Sequence, residues 1–419
     1  MEGTAGRETL MERSHARLWN WRTALVCYSA FAISFPIAWI SLAKVALLLG
    51  SLGLLIVRRK VTDAPPLAGS SVMWLVPTVV ATISVGILWT PAPLEIALLA
   101  YVKHAKLLLI PAIAFLVRSK AEAIVAFRAF ALGQLFLLGS SLLLAGGISL
   151  PWTTDPVGDN VVFSTYLDQS IMFCVAAGVF WHLRREDLWP SAVAKVAAVG
   201  CIFATLFLLN GRTGYLAAIV WLLLVLFWEI PRPLKPWLLV VLPALVGALF
   251  AALPVQTQDR ILVAYKEASQ YSQKVEAQSS SGWRLNAWSR SMQAIAEKPL
   301  LGHGTGSWAM TVKRVEGEGG TRIFGEGNAS NPHQEFLLWT VELGLLGILS
   351  LLAVGYALSR DALRFTVPVR RATLATMATV VTACLFNSAL YDDLIGDYLV
   401  IVLGLLVAIG RWTQPPNPH

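Results

Sequence analysis

Residues 236–254 read PWLLVVLPALVGALFAALP, nineteen positions without a charged side chain. A helix rises about 1.5 Å per residue, so this run is long enough to cross the roughly 30 Å hydrocarbon core of a bilayer. The character of the chain then changes abruptly. Residues 255–333 carry nine Lys and Arg and no comparable apolar run. The stretch therefore reads as a membrane span that delivers the chain into a large polar loop.

Outward from it, further apolar runs lie at 23–38, 41–57, 70–88, 94–117, 121–146, 163–182, 191–209, 213–229, 334–358, 368–390 and 394–410. With 236–254 they make twelve predicted helices, the first two divided at Phe35-Pro36. The fold class expected is an all-α integral membrane protein. Its parts are spans one to nine in 1–254, a helical external loop in 255–333, and spans ten to twelve with a tail in 334–419. Composition agrees. Of 419 residues, 56% are hydrophobic and 14% charged, against about 25% charged in a soluble domain. That excludes a cytosolic enzyme, a disordered chain and a fibrous repeat. Cys27, Cys174, Cys201 and Cys384 fall inside apolar runs without C-x-x-C spacing, so neither a disulfide framework nor a zinc site is implied.

The net charge of +8 could suggest nucleic acid, but its distribution is topological. With the N-terminus in the cytoplasm, eighteen of the 33 Lys and Arg fall in cytoplasmic segments, among them Arg7, Arg13, Arg17, Arg58, Arg59 and Lys60. The short loops opposite hold one, Arg212. This is the positive-inside pattern, and no nucleic-acid partner is expected. Trp39, Trp74, Trp89, Trp181, Trp189, Trp228 and Trp237 lie near span ends, where indoles favour the membrane interface. The Arg-rich start could mimic a signal peptide, but the second span follows too closely for that reading.

Within 255–333, residues 256–275 read as an amphipathic helix and Gly282 to Lys298 as a second, ended by Pro299. Gly302, Gly304 and Gly306 make an irregular turn, and Gly317 to Gly327 a flexible one. The Gly302-His303-Gly304-Thr305-Gly306 run shares only glycine content with a phosphate loop, lacking its lysine and preceding strand. No G-x-S-x-G elbow and no metal-ligand spacing appears. The first external turn, Trp39-Ile40-Ser41, has no acid, unlike many multi-span lipid-linked sugar transferases that place a carboxylate there.

Three external features carry chemistry. In Asn210-Gly211-Arg212-Thr213-Gly214-Tyr215, a helix start capped by Thr213 or a neighbour sits beside a guanidinium, which suits an anion; the plainer reading is an Arg reaching for headgroups. In Asn331-Pro332-His333-Gln334-Glu335, Asn331 reads as an N-cap and Pro332 as the first helical residue. His333 then falls in the first turn of the tenth span, a candidate general base or simply a loop histidine. In Gly282-Trp283-Arg284-Leu285-Asn286-Ala287-Trp288, Arg284 and Trp288 share a helix face. Inside the spans, Lys103, His104 and Lys106 cluster, Asp168 lies about a turn below the external surface, and Asp392, Asp393 and Asp397 flank the last external turn. Ionisable groups at such depth face a cavity or a partner.

Taken together these landmarks resemble the O-antigen ligase family, which also holds O-antigen polymerases and protein O-oligosaccharyltransferases. The resemblance rests on the span count, the large late loop, and three motifs in order: Arg212-Thr213-Gly214; Gly282-Trp283-Arg284 with Trp288 and Pro299-Leu300-Leu301-Gly302; and Asn331-Pro332-His333. They are separated by 72 and then 49 residues. Gly211 departs from the pattern, in which Ser often precedes the Arg.

The resemblance implies an O-antigen ligase as an inverting, metal-independent glycosyltransferase without cofactor, in the inner membrane of a Gram-negative bacterium. It would take polysaccharide from undecaprenyl pyrophosphate to a sugar hydroxyl of the lipid A–core oligosaccharide at the periplasmic face, with both termini cytoplasmic. His333, Arg212 and Arg284 would be catalytic, and Lys103, Asn331, Asp168, Asp392 and Trp288 would contact substrate. A polymerase or protein transferase of the same family stays open. So does a transporter or flippase, although no internal repeat of the kind transporters use is visible.

Overall fold

The computed structural model describes residues 20–56, 69–153, 160–269, 280–316 and 331–413. The basic residues Arg7, Arg13, Arg17, Arg58, Arg59 and Lys60 and the stretch Gly317 to Gly327 lie outside them. All the secondary structure described is helical. The elements are α1 (Trp21–Ala32), α2 (Ile37–Ile56), α3 (Val72–Trp89), α4 (Leu94–Leu116), α5 (Lys120–Ala145), α6 (Tyr166–His182), α7 (Ser191–Leu208), α8 (Arg212–Glu229) and α9 (Arg232–Ala252). After them come α10 (Val255–Ser269), α11 (Ser280–Glu297), α12 (Trp308–Glu316), α13 (Glu335–Ala362), α14 (Val367–Phe386) and α15 (Asp393–Trp412).

Ten of these are long and apolar enough to cross a membrane. The expected twelve also counted α1 and α6, which at 12 and 17 residues are shorter than the rest. Both are nonetheless built into the bundle: α1 packs on α5, and α6 on α7 and α14. The chain is thus a helical integral membrane protein. Helix α15 runs through its centre, buried along nearly its whole length, whereas α9 is only 6% buried and has its apolar surface turned outward. Outward-facing leucines on α2 and α9 fit a lipid solvent, where an apolar surface carries no penalty.

Helix starts follow their side chains. Asn20 caps α1 by accepting from the Arg22 and Thr23 amides; Ser119 accepts from Glu122 and Thr165 from Asp168 at the starts of α5 and α6. The turn at 33–36 divides α1 from α2 where Phe35-Pro36 predicts it.

Helix α13 does not run unbroken. Gly344 interrupts it with φ of 60° and ψ of −140°. The carbonyls of Val341 and Glu342 accept instead from the amides of His303 and Gly304 at 2.9 and 2.7 Å, and the Leu345 amide donates to Pro299 O at 2.8 Å. Thr305 fastens the same loop to α3, through its amide to Gly86 O at 3.1 Å and its hydroxyl to Ile83 O at 2.7 Å. Gly302 and Gly344 touch back to back, so that a Cβ on either would come within 2.5 Å of the other segment's backbone. The glycine-rich turn is therefore a splice between the loop helices and the bundle. It satisfies backbone groups that a broken helix would otherwise leave bare in an apolar setting.

Candidate active site

Helix α8 begins at Arg212 with Gly211 at its cap, so no side chain caps it, and the expected cap by Thr213 or a neighbour is not formed. Thr213 is instead buried. Gly214 is needed for packing: a Cβ there would meet Ser170 Oγ on α6 at 2.3 Å. The positive end of α8 is thus pressed against α6 with Arg212 as its first residue, so helix dipole and guanidinium add rather than cancel.

Arg284 comes from α11. It lines the same cavity of about 520 Å³ as Arg212, with Trp288, Leu216 and Ile219 of α8, and Phe250 of α9. Apart from the two guanidiniums the walls are largely aliphatic and aromatic. Burial holds the Arg284 guanidinium below its ordinary pKa, and the like charge of Arg212 adds to the effect, against an opposing contribution from Tyr166. Two cations within mutual electrostatic reach on an apolar wall favour an anion between them.

His333 is held a short step away. The expected helix start at Asn331 is not observed. His333 has φ of 50°, outside the right-handed region, so α13 cannot begin until Glu335. Gln334 is its N-cap, accepting from the Leu337 amide at 2.5 Å. Asn331 makes a local turn, its Oδ1 accepting from the His333 amide at 2.9 Å. Trp288 Nε1–H donates to Pro332 O at 3.0 Å, which ties the arginine-bearing helix to the histidine loop. Trp283 meets the imidazole edge-on at 5.2 Å between ring centroids.

The floor of this corner is the turn between α14 and α15. His333 Nδ1 lies 2.8 Å from Asn387 Oδ1, and Asn387 Nδ2–H donates to Asp392 at 3.4 Å. The Gln334 amide donates to Ser388 Oγ at 3.1 Å. Beneath it, the buried Glu335 carboxylate accepts from Trp339 Nε1 at 2.8 Å and from the Leu390 and Tyr391 amides at 3.0 and 3.3 Å. Lys106 Nζ donates to Asp392 O at 2.5 Å. Burial raises the Asp392 carboxyl above the usual range, opposed by the charges of His333, Lys106 and Lys103.

The structure thus gathers Arg212, Arg284 and Trp288 around one cavity and joins His333 to it through Trp288. Asp392 reaches His333 through Asn387, and Asp168 lies within electrostatic reach of Asp392. Lys103 is placed differently: its Nζ pairs with Asp393 at 3.4 Å and lies over the Tyr391 ring. Asn387, Gln334 and Glu335 carry more of the geometry than the sequence reading gave them. A polar pair, Asn387-Ser388, closing an apolar span just before two aspartates was the available signal. Among the described residues no three His, Cys, Asp or Glu side chains come together as a metal site requires.

Fold and site together define a polytopic membrane protein with a cationic, apolar-walled cavity and an adjoining histidine. Residues 197–352, from α7 through the kink in α13, match the family described as O-Antigen ligase. That segment contains all three motifs, and over it the chain is similar to this family, whose members are glycosyltransferase-like enzymes. No protein of curated function matches the chain.

Proposed function

We propose that this protein is an O-antigen ligase: an inverting glycosyltransferase that moves polysaccharide from undecaprenyl pyrophosphate to a hydroxyl of lipid A–core. The observation that carries the reading is the cavity shared by Arg212 and Arg284, with His333 tethered beside it through Trp288. Apolar walls suit the first isoprene units of the carrier, and the guanidinium pair suits its diphosphate. We read the chain as twelve spans with 255–333 as the external loop, and the site as facing the periplasm, as the distribution of basic residues supports.

In this reading the acceptor hydroxyl oxygen attacks the anomeric carbon of the donor sugar from the face opposite the leaving group. The bond from that carbon to the diphosphate oxygen breaks, its electron pair staying on the diphosphate. The anomeric centre therefore inverts, and the hydroxyl proton passes to His333 Nε2. Arg212 and Arg284 hold the charge that builds on the leaving oxygen through charge-assisted hydrogen bonds, which act most strongly away from bulk water. No metal is required by this scheme, since fixed cations supply the same charge. In this reading Asp168, Asp392 and Lys103 would hold sugar hydroxyls or phosphate. Asn331 acts through its turn with His333.

The test is transfer by the purified protein, in detergent or vesicles with EDTA, from an undecaprenyl-pyrophosphate-linked glycan. Glycan appearing on added lipid A–core supports the proposal. Glycan lengthening only on the lipid carrier makes the protein a polymerase. Glycan on an added pilin-type protein makes it a protein transferase. Glycan crossing the vesicle wall without transfer makes it a transporter.

A further inference from the structure

The atoms around Asn387 decide a proton position. Asn387 is 1% exposed and is the residue that ends α14. Its Oδ1 faces two groups: the Ser388 backbone amide at 3.0 Å and His333 Nδ1 at 2.8 Å. A backbone N–H can only donate, so the amide oxygen must point this way. The Nδ2–H group then faces the Asp392 carboxylate, which can only accept when ionised. Both ends of the side chain agree on one orientation. An oxygen acceptor 2.8 Å from Nδ1 requires that Nδ1 carry the hydrogen, which leaves Nε2 bare.

The turn that carries Asn387 is itself fixed from three sides. Glu335 accepts from the Leu390 and Tyr391 amides, Lys106 donates to Asp392 O, and Ser388 Oγ accepts from the Gln334 amide beside His333. Trp283 limits tilting of the imidazole from its edge. The charged groups at this corner are Asp392 and, around it, Asp393, Lys103 and Lys106, with the Glu335 carboxyl beneath the turn and Asp168 within electrostatic reach of Asp392.

We propose that Asn387 is a positioning residue that fixes His333 in its Nδ1–H tautomer, with Nε2 presented to the acceptor hydroxyl. The proposal rests on the reading of His333 as the base. Asp392 acts one step further out, by orienting the Asn387 amide rather than by touching the imidazole.

The experiment compares Asn387→Leu, Asn387→Asp and His333→Ala in the full-length purified protein. Each is checked by thermal melting in detergent, and glycan transfer is followed against donor concentration and pH. Asn387→Leu removes the acceptor and should lower kcat by about 10–100-fold with donor KM unchanged, the usual cost of losing such an orienting partner. Asn387→Asp keeps an oxygen at Nδ1 and should restore much of the turnover. Its negative charge stabilises the imidazolium, so the acidic limb of its pH–rate profile should move to higher pH. Wild-type turnover in Asn387→Leu would overturn the proposal while leaving the base assignment intact. So would an Asn387→Asp enzyme as slow as the leucine variant with its acidic limb unmoved, which is what a purely structural role gives. If Asn387→Leu does not fold, the isosteric Asn387→Asp decides by its limb alone. Activity retained in His333→Ala would remove the base reading itself, and this proposal with it.

Discussion

The two ends of helix α8 treat arginine in opposite ways. At its last turn, Arg371 donates to Trp228 O at 3.3 Å and pairs with Glu229 at 3.8 Å, while Arg184 meets Glu229 at 3.0 Å and Trp181 O at 2.5 Å. The same pattern runs across that face of the bundle. Arg22 donates to Leu116 O at 2.8 Å and Arg411 to Ala114 O at 2.5 Å, both near the end of α4. Each cation there meets the negative end of a helix and a carbonyl that needs a donor. At the first turn of α8, Arg212 sits on the positive end of the helix, and Arg284 is brought up beside it on an apolar wall. One face uses guanidinium to finish the fold. The other brings two guanidiniums together on one apolar wall, which is the arrangement a bound anion would relieve.

The contrast between the faces breaks most visibly at the histidine. His333→Ala should lower glycan transfer by about 10²–10⁴-fold, equivalent to about 3–5 kcal/mol of barrier, with the melting temperature unchanged. Transfer to lipid A–core read from gel ladders checks it. Next comes Arg284→Ala, with an expected loss of about 10²–10³-fold, the size usual for one preorganised charge-stabilising donor. Arg284→Lys should recover little, because a point charge lacks the planar fork that grips a diphosphate. By contrast Arg371→Ala, at the other end of α8, should lower the melting temperature and leave turnover per folded molecule as it was. Equal effects on activity from both arginines would erase the distinction between the faces.

Much of this architecture is legible from the sequence, because lipid imposes a simple rule. Every span must be apolar over about 20 residues, so run length alone finds the long helices. The two arginines that line the cavity stand out in the sequence too: one by its isolation among the short loops expected to be external, the other by sharing a helix face with Trp288. The start of α13 is not. Asn331-Pro332 satisfies every local signal for a helix start, yet Asn331 turns back on His333 and the helix waits for Gln334. Capping signals are local, whereas the loop at His333 is tied to partners 54 residues away, its imidazole to Asn387 and the Gln334 amide to Ser388. The break at Gly344 is hidden for the same reason. A glycine within an apolar run looks harmless until the loop from Pro299 to Gly304 supplies the hydrogen bonds that the helix gives up. Lys106 reads as a costly charge inside a span, and together with Glu335 it turns out to hold the turn beneath the histidine.

Loss of the splice at Gly344 should touch both stability and activity. Gly344→Ala would force a side chain into φ of 60° and to within 2.5 Å of the Leu300 backbone. The strain should cost about 1–3 kcal/mol, with overpacking in addition. Because α11 hangs from this loop, both melting temperature and transfer should fall together. Loss of stability with full activity would show that the arginine helix is held elsewhere. Asp361 on the opposite face should behave more simply. Its carboxylate accepts from the Ser71 and Val72 amides at 2.8 and 3.2 Å and from Ser70 Oγ at 2.5 Å, closing the start of α3. Asp361→Ala leaves buried amides bare and should cost about 1–3 kcal/mol in thermal or denaturant unfolding, with no change in turnover.

The smallest effect expected is the one that states the contrast most directly. Asp392 has its carboxyl raised by burial despite the cations around it, so its ionised form is less favourable in the folded protein than in the unfolded chain. Its contribution to stability is then fully present below the ordinary carboxylate range and is lost as pH rises through the raised value. Asp392→Asn removes the titration while keeping the shape. It should therefore gain on the wild type as pH rises through and above the ordinary carboxylate range. Melting curves of the two proteins across that range should diverge in that direction and no other. The same substitution should slow transfer, because the Asn387 amide loses the carboxylate that orients it. A variant at once more stable at neutral pH and less active would show this face carrying charge for chemistry and against the fold. An Asp392→Asn protein that loses ground to the wild type as pH rises would place Asp392 with Asp361, among the residues that hold the helices together.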